Sequence, residues 1–234
     1  MPALTSEVDA VVRRYAARAA VGNNDRYSML NAAVWQSVQD RQRALLWFLA
    51  SYSPKPLADL QVLEVGCGTG SNLLELLRIG CSASNLVGNE LLLERWQAAR
   101  SSLPQATQVL AGDATGLPFG KGCFDIVYQS TVFSSLLDDG FQACLARKMW
   151  SWVRPGGAVL WYDFIVNNPH NPDVRGVSLR RIQHLFPEAE LQVRRVTLAP
   201  PISRRICKLH PGLYSILNVA PWLRTHVLCW LHKH

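Results

Sequence analysis

Apolar and polar positions along this chain predict strands and helices in alternation from about residue 60 onward. Short apolar runs bounded by glycine, proline or polar residues predict strands; they cover 60–66, 85–90, 107–113, 123–130 and 158–164. Amphipathic, leucine-rich stretches predict helices between the strands; they cover 71–80, 91–103 and 141–153, the last ended by a turn at 154–157. This order favours a mostly parallel sheet with helices on both faces.

The remaining segments complete the predicted α/β architecture. Two late strands, Leu191–Leu198 and His226–His232, bring the sheet to seven strands, with a helical insertion near 200–222 between them. Spaced apolar positions predict a helical front segment that ends before two prolines, Pro54 and Pro56. We therefore expect two units, a helical segment over 1–55 and a core over 56–234.

Three glycines follow the first predicted strand directly, at Gly66, Gly68 and Gly70. Glycine is unfavourable inside regular structure, so such a cluster indicates a turn to which something approaches the backbone closely. Ligands of open parallel sheets bind at the carboxyl ends of the strands. The cluster therefore predicts a ligand site at the turn from this strand into the next helix.

The spacing of these glycines narrows the kind of ligand. A phosphate-binding P-loop requires a Lys-Ser/Thr pair after its glycines, and none follows Gly70. A dinucleotide fingerprint places its third glycine where this chain has Ser71. The pattern is instead G-x-G-x-G, with an acidic residue, Glu64, two positions before it.

This segment resembles the first motif of the class I S-adenosylmethionine-dependent methyltransferases, matched at Glu64, Gly66, Gly68 and Gly70. The resemblance implies a doubly wound, Rossmann-like fold. It also implies S-adenosyl-L-methionine as cofactor and S-adenosyl-L-homocysteine as product. A carboxylate near the glycines suits the cationic tail and sulfonium of that cofactor.

Later segments resemble the family's other motifs in the same order. The resemblance places Glu90, followed by Leu91, at the ribose hydroxyls, and glutamate stands where aspartate is commoner. It places Asp113 and Ala114 at the adenine and Gln129 at the methionine end of the cofactor. Read as structure alone, Glu90 is a first-turn helix acid, Asp113 a turn residue and Gln129 a buried amide.

Composition sets the class of protein. Hydrophobic residues make up 49% of the 234 positions and charged residues 18%, values typical of a globular domain. Six dispersed cysteines without a C-x-x-C pair predict neither a zinc site nor a disulfide framework, and we expect no metal. With no apolar run near the length of a membrane span and no secretory h-region, the sequence predicts a cytoplasmic protein.

The net charge of +7 permits an anionic partner. We expect no nucleic acid, because no RNA-binding module precedes the core and aromatic residues do not alternate with the basic pairs. A membrane surface stays open as a partner. Its candidate residues are Arg204, Arg205, Lys208, Arg224, Leu213, Tyr214, Leu217, Trp222 and Trp230.

The resemblance implies methyl transfer, to an oxygen or less favourably a nitrogen of a small molecule. The activated methyl requires mainly alignment, and a hydroxyl acceptor also benefits from a general base. His170 is the first candidate for that base and Asp163 the second, both in or beside the loop after the fifth strand. The segment 1–55 then acts as a helical lid over the acceptor.

Three assignments of function stay open at this point. Several segments resemble a bacterial subgroup encoded with polysaccharide or secondary-metabolite genes, which implies a sugar or natural-product acceptor. The first alternative is a peripheral membrane methyltransferase acting on a lipid or lipid-linked glycan. The second is a non-catalytic partner subunit that binds S-adenosylmethionine.

Overall fold

The computed structural model describes residues 3–20, 28–167 and 171–234. Within them, seven strands form one sheet in the order β3-β2-β1-β4-β5-β7-β6. The strands are β1 (Val62–Val65), β2 (Leu86–Glu90), β3 (Gln108–Ala111), β4 (Phe124–Ser130), β5 (Val153–Phe164), β6 (Glu190–Leu198) and β7 (Arg224–His232). All seven strands predicted from the sequence are present.

The sheet is mixed rather than purely parallel. Strands β1 to β5 pair in parallel, whereas β7 runs antiparallel to both β5 and β6. Because β7 is reversed relative to both neighbours, β6 points in the same direction as β1 to β5. The chain moves outward from β1 through β2 to β3 and then returns to β4, so the strand order reverses between β1 and β4. Crevices at such a reversal bind ligands.

Helices cover both faces of the sheet, as predicted. They are α1 (Ala3–Ala20), α2 (Ala32–Tyr52), α3 (Ser71–Arg78), α4 (Leu93–Ser102), α5 (Asp139–Trp152), α6 (Leu179–Leu185), α7 (Pro200–Leu209) and α8 (Leu213–Leu217). Helices α1, α5 and α6 bury side chains in one apolar cluster, and α2, α3 and α4 in a second cluster on the opposite face. Strand β1 is accordingly buried at all four positions.

Two details differ from the sequence prediction. The segment 154–157, predicted as a turn, lies within β5 as a register shift between the pairs Phe124–Val153 and Ile126–Ala158. A Cβ atom on Gly157 would lie 2.4 Å from the carbonyl oxygen of Asp125, so the strands meet here without room for a side chain. Helix α6, capped by the Ser178 side chain, is a further element that the apolar pattern did not single out.

The predicted helical insertion between β6 and β7 consists of α7, α8 and a 3-10 turn at Pro221–Leu223. Among the described residues, no helix combines the length and the apolar character needed to cross a membrane.

Candidate functional site

A cavity of about 450 Å³ opens at the carboxyl ends of β1, β2 and β4. Its walls come from the glycine turn after β1, the end of β2, the turn after β3 and the loop after β4. Helices α1, α2 and α5 also contribute side chains. The volume falls in the range of small-molecule sites, and the cavity lies where the strand order reverses.

Glycine is required in this turn for two different structural reasons. All three adopt positive φ, a conformation that side chains rarely tolerate. At Gly66, an added Cβ would lie 2.5 Å from Cγ2 of Val132, so the protein's own packing excludes it. At Gly68, nothing lies within 4 Å of that position, and the residue borders the cavity. Gly68 therefore leaves room for a ligand, whereas Gly66 leaves room for the loop after β4.

Glu90 connects the glycine turn to the end of β2. Its carboxylate is buried and accepts hydrogen bonds from the backbone N–H of Gly68 and of Leu92, each 2.8 Å long. Each oxygen keeps a free acceptor direction. Glu90 and the neighbouring Leu91 line the cavity, where the sequence placed the ribose-binding residues.

Asp113 stands at the turn after β3. It caps the 3-10 turn Ala114–Gly116 by accepting from Thr115, at 2.9 Å from the backbone N–H and 2.6 Å from Oγ1. Asp113 and Ala114 both line the cavity on the side away from β4. The structure thus brings Glu90, Leu91, Asp113 and Ala114 to one wall, as the motif order predicts.

Glu64 lies behind the cavity and is fully buried. Its Oε1 accepts from Nδ2 of Asn72 at 2.6 Å, and its Oε2 has no hydrogen-bond partner in the described part of the chain. Burial raises the pKa of this carboxyl to about 7, against the opposing effects of Asn72 and Arg41. Asn72 lines the cavity, so Glu64 lies one hydrogen bond behind the cavity wall.

Gln129 does not line the cavity, which corrects its assignment to the cofactor's methionine end. It is fully buried, donates to the carbonyl of Tyr162 at 3.3 Å and accepts from the N–H of Val132 at 3.0 Å. The loop that it holds includes Thr131, which lines the cavity with a strained φ of 57°. Gln129 therefore shapes the cavity wall without reaching the ligand.

Asp163 is also displaced from the catalytic position expected for it. It is fully buried and accepts from the backbone N–H of Ser134 at 3.0 Å and of Phe164 at 2.9 Å. Burial raises its pKa to about 7, although these hydrogen bonds favour the charged form. Its carboxylate anchors the turn Phe133–Ser135 to β5 and does not line the cavity. The other candidate base, His170, lies outside the described residues.

Sequence reasoning missed Arg41, which extends from α2 into the cavity wall. Its guanidinium lies 5.1 Å from the ring centre of Tyr162 and donates to Oγ of Ser130 at 3.4 Å. Within the described residues it forms no ion pair within 4 Å. No local motif marks this arginine, because α2 reaches the cavity only through tertiary packing.

Buried aromatic groups surround Arg41. Burial raises the pKa of Tyr128 to about 12 and lowers the pKa of His226 to about 4. The charge of Arg41 favours the ionised phenol of Tyr128 and the neutral imidazole of His226. Arg41 therefore places a positive charge beside buried aromatic groups at this end of the cavity.

Helix α1 covers another side of the cavity. Val8, Val11 and Tyr15 line it, and Arg14 donates to the carbonyl of Ser135 at 2.9 Å. Glu7 accepts from the backbone N–H of Leu137 at 2.7 Å. These contacts fix α1 against the turn that follows β4.

Residues 62–157 match the family model described as a methyltransferase domain. The matched segment runs from β1 into β5 and contains Gly68, Glu90 and Asp113. Over its fold the chain resembles an S-adenosylmethionine-dependent methyltransferase from Thermotoga maritima, described as a possible histamine N-methyltransferase. The two superpose with a TM-score of 0.62 at 15% identity, covering 96% of this chain and 99% of that one.

Two curated relatives match parts of the chain. Ajmaline N-methyltransferase of Rauvolfia serpentina is 25% identical over 171 residues, covering 70% of this chain and 55% of the relative. The biotin biosynthesis bifunctional protein BioHC of Cellvibrio japonicus is 32% identical over 101 residues, covering 43% and 20% respectively. The chain thus spans about half of the first and about a fifth of the second.

The residues around the cavity fit S-adenosylmethionine, the cofactor that the resemblance implies. Gly68 leaves open space beside a positive-φ backbone, and Glu90 presents carboxylate oxygens that can accept from two ribose hydroxyls. The unpartnered Oε2 of Glu64 supplies negative potential for a cationic tail. Asp113 faces the end of the cavity where the family's adenine contact is expected.

Proposed function

We propose that this protein transfers a methyl group from S-adenosylmethionine to an oxygen atom of a small molecule, bound at the Arg41 end of the cavity. The observation that carries the proposal is one cavity joining the Gly68, Glu90 and Asp113 wall to the cation of Arg41, which forms no ion pair within 4 Å in the described part of the chain. The family match supports the reaction class, and Arg41 supports the acceptor chemistry.

When bound, the cofactor supplies an electrophilic methyl group on a sulfonium. Residues of this chain align the two reactants, and such positioning accounts for much of the barrier lowering in reactions of this kind. Glu90 and Asp113 fix the nucleoside end, while the loop held by Gln129 sets the wall near β4. Val8, Val11 and Tyr15 exclude water from the side covered by α1.

Arg41 favours oxygen over nitrogen as the acceptor atom. A guanidinium near a hydroxyl lowers the hydroxyl's pKa and stabilises the oxyanion that attacks. The same charge repels a protonated amine. An acceptor that already carries an anionic group gains the same attraction. The N-methyltransferase relative represents the competing nitrogen chemistry, for which a cation at this position is unfavourable.

His170 remains our proposal for the general base. The flanking segments make defined contacts: Asn167 accepts from the N–H of Gly176 at 2.8 Å, and Arg18 of α1, the helix that covers one side of the cavity, donates to the carbonyl of Asp173 at 3.0 Å. Histidine is the side chain whose ordinary pKa lies closest to neutral pH, which suits a general base. The pH profile of kcat/KM tests this role. In His170→Gln the fall of kcat/KM on the acidic side of the profile should disappear.

We also propose that residues 1–55 form a lid on the core 56–234, with the insertion near 200–222 as a second wall. Contacts of α1 and α2 with the cavity support this division. If α1 covers the acceptor, its release requires α1 to separate from the turn Phe133–Ser135.

We propose a natural product or sugar as the acceptor, secondary metabolism as the setting of the reaction, and the cytoplasm as the location of the protein.

Calorimetric titration with S-adenosylmethionine and S-adenosylhomocysteine tests the cofactor site. Gly68→Val and Asp113→Ala are each expected to weaken cofactor binding at least about tenfold. The valine fills the space beside the glycine turn, and the alanine removes a polar contact to the cofactor. The exposed change Glu94→Gln serves as control. Unchanged affinity in both site variants would contradict the assignment, and tight binding without turnover over a broad acceptor panel would favour the non-catalytic alternative.

Arg41 variants then test the acceptor chemistry with any hydroxyl acceptor found by transfer of a labelled methyl group. Arg41→Gln is expected to lower kcat/KM for that acceptor at least about tenfold while the Kd of S-adenosylmethionine changes less than about twofold. Arg41→Lys keeps the charge and should retain part of the activity. If Arg41→Gln instead weakened only the binding of S-adenosylmethionine, Arg41 would bind the carboxylate of the cofactor, and the proposed acceptor role would be wrong.

A further inference from the structure

The insertion between β6 and β7 exposes large apolar side chains on the surface. Leu209 is 80% exposed, Ile216 67%, Val219 74% and Trp222 78%. Such residues are scattered singly on most surfaces, and a contiguous group marks an interaction site. All four lie in the fourteen-residue span 209–222, which runs from the end of α7 through α8 to the following 3-10 turn.

These side chains are exposed on an anchored element. Tyr214 of α8 is fully buried, and its hydroxyl accepts from the N–H of Leu198 at 3.1 Å and donates to Ser37 of α2 at 3.4 Å. Arg224 donates to the carbonyl oxygens of Asn218 and Arg195 at 2.8 and 2.9 Å. The apolar residues therefore point outward because the fold holds them there.

Basic residues share this surface. Along α7, Ser203 and Cys207 face inward, while Arg205, Lys208 and Leu209 are exposed. Leu30, 98% exposed, precedes Asn31, which shares a small surface pocket with Cys207 and Lys208. We call this surface the insertion face; its residues are Leu30, Arg205, Lys208, Leu209, Ile216, Val219 and Trp222.

The charge of the insertion is one-sided. The segment 199–223 contains two arginines, one lysine and one histidine, and no aspartate or glutamate. An apolar surface bordered by cations without acids complements an anionic lipid surface, where each basic residue near the headgroups adds attraction. A second copy of this chain would bring like charges together at this face.

The insertion face lies at the same edge of the sheet as the cavity. Leu198, the last residue of β6, pairs with Arg224, and Phe164, the last residue of β5, pairs with His226. The insertion therefore leaves and re-enters the sheet at the carboxyl ends of its parallel strands. Helix α2 spans the two features, with Asn31 at the insertion and Arg41 at the cavity.

We propose that the insertion face docks this protein on an anionic lipid bilayer, with Trp222, Leu209, Ile216 and Val219 entering the headgroup layer. The docking is independent of methyl transfer and requires no bound cofactor. It differs from the surface predicted from the sequence, because Tyr214 and Trp230 are buried and Arg224 is engaged by backbone carbonyls.

Co-sedimentation of the full chain with lipid vesicles tests the proposal. One set of vesicles is phosphatidylcholine alone, and the other contains about 30–40 mol % phosphatidylglycerol in phosphatidylcholine. We expect binding to the anionic vesicles only, weakened by salt. Trp222→Ala is expected to lower the affinity for the anionic vesicles about tenfold. The double variant Arg205→Glu with Lys208→Glu is expected to abolish binding to them.

A matched charge reversal, Arg147→Glu with Lys148→Glu on the exposed face of α5, has the same net charge and is expected to retain binding. Circular dichroism and cofactor titration confirm that each variant is folded. Equal losses in both reversals, or no binding of the unmodified chain to anionic vesicles, would overturn the proposal. So would a dimer in light scattering that Trp222→Ala converts to monomer, because a second copy would then cover the face.

Discussion

At the scale of single residues, two buried carboxyls have pKa values well above their ordinary range. Glu64 and Asp163 are both fully buried, and burial raises the pKa of each to about 7. Their hydrogen bonding differs: Asp163 accepts on both oxygens, whereas Glu64 leaves Oε2 without a partner in the described residues. Asp163 is thus satisfied by the fold alone, whereas one oxygen of Glu64 is not.

Glu64 should make the stability of the ligand-free protein depend on pH. Its folded pKa, about 7, lies above the ordinary 4.5, so its stabilising contribution is complete below pH 4.5 and is lost as pH rises through 7. Glu64→Gln should therefore raise Tm at pH 8 relative to the parent and leave Tm at pH 4.5 nearly unchanged. Thermal unfolding at both values measures this, with Glu94→Gln as the exposed control; a parallel shift at both pH values would contradict it.

Asp163→Asn separates a structural from a catalytic role. The amide keeps one acceptor oxygen but presents N–H groups toward a backbone N–H, which costs about 1–3 kcal/mol of the free energy of unfolding. Urea unfolding should detect that loss, while the pH profile of kcat/KM keeps its acidic limb. Loss of that limb in a folded variant would return Asp163 to the role of general base.

At the scale of elements, the glycine turn between β1 and α3 combines packing with ligand access. Its first glycine meets the loop after β4, and its second borders open space and donates to Glu90. The same short motif therefore holds two neighbouring elements together and leaves a surface for the cofactor. These two roles can be separated by the smallest possible substitution.

Gly66→Ala and Gly68→Ala form a matched pair. Both place alanine at positive φ, at a cost of about 1–2 kcal/mol. Only the alanine at 66 also overlaps Val132, so its Tm should fall further, by several degrees more than that of Gly68→Ala. Gly68→Ala should instead weaken S-adenosylmethionine binding at least about tenfold in calorimetry. The reverse ranking in either measurement would contradict this division.

At the scale of the whole molecule, α2 joins the two ends of the carboxyl edge. It contributes Arg41 to the cavity, meets the insertion at Ser37 and accepts the N–H of Thr197 on Asp40 at 2.7 Å. Tyr214 completes this connection by joining α8 to both α2 and β6. The insertion and the cavity are therefore connected through α2.

Tyr214→Phe should loosen that edge. Removal of the hydroxyl leaves the buried N–H of Leu198 without an acceptor, which costs about 1–3 kcal/mol. Urea unfolding measures the loss, and amide exchange should show it first in α7 and α8. Tyr52→Phe is the control, because the Tyr52 hydroxyl forms no hydrogen bond among the described residues and its loss should change stability by less than about 0.5 kcal/mol.

The sequence by itself determined the strands, the covering helices and which motif residues share one wall of the cavity. This was possible because apolar periodicity and turn glycines are local signals, and the motifs at Gly68, Glu90 and Asp113 each lie at a strand end. The seven strands were predicted, while the reversed direction of β7 emerged only when the late strands paired.

Only the tertiary structure decided which polar groups face the cavity. Gln129 and Asp163 lie at strand ends, like Glu90, yet the loop after β4 uses their hydrogen bonds and covers them. Arg41 is distant in sequence from every motif and enters the cavity because α2 packs across the sheet. The exposure of Trp222 beside the burial of Trp230 has the same origin, since neither local composition nor periodicity specifies which side chain a neighbouring element covers.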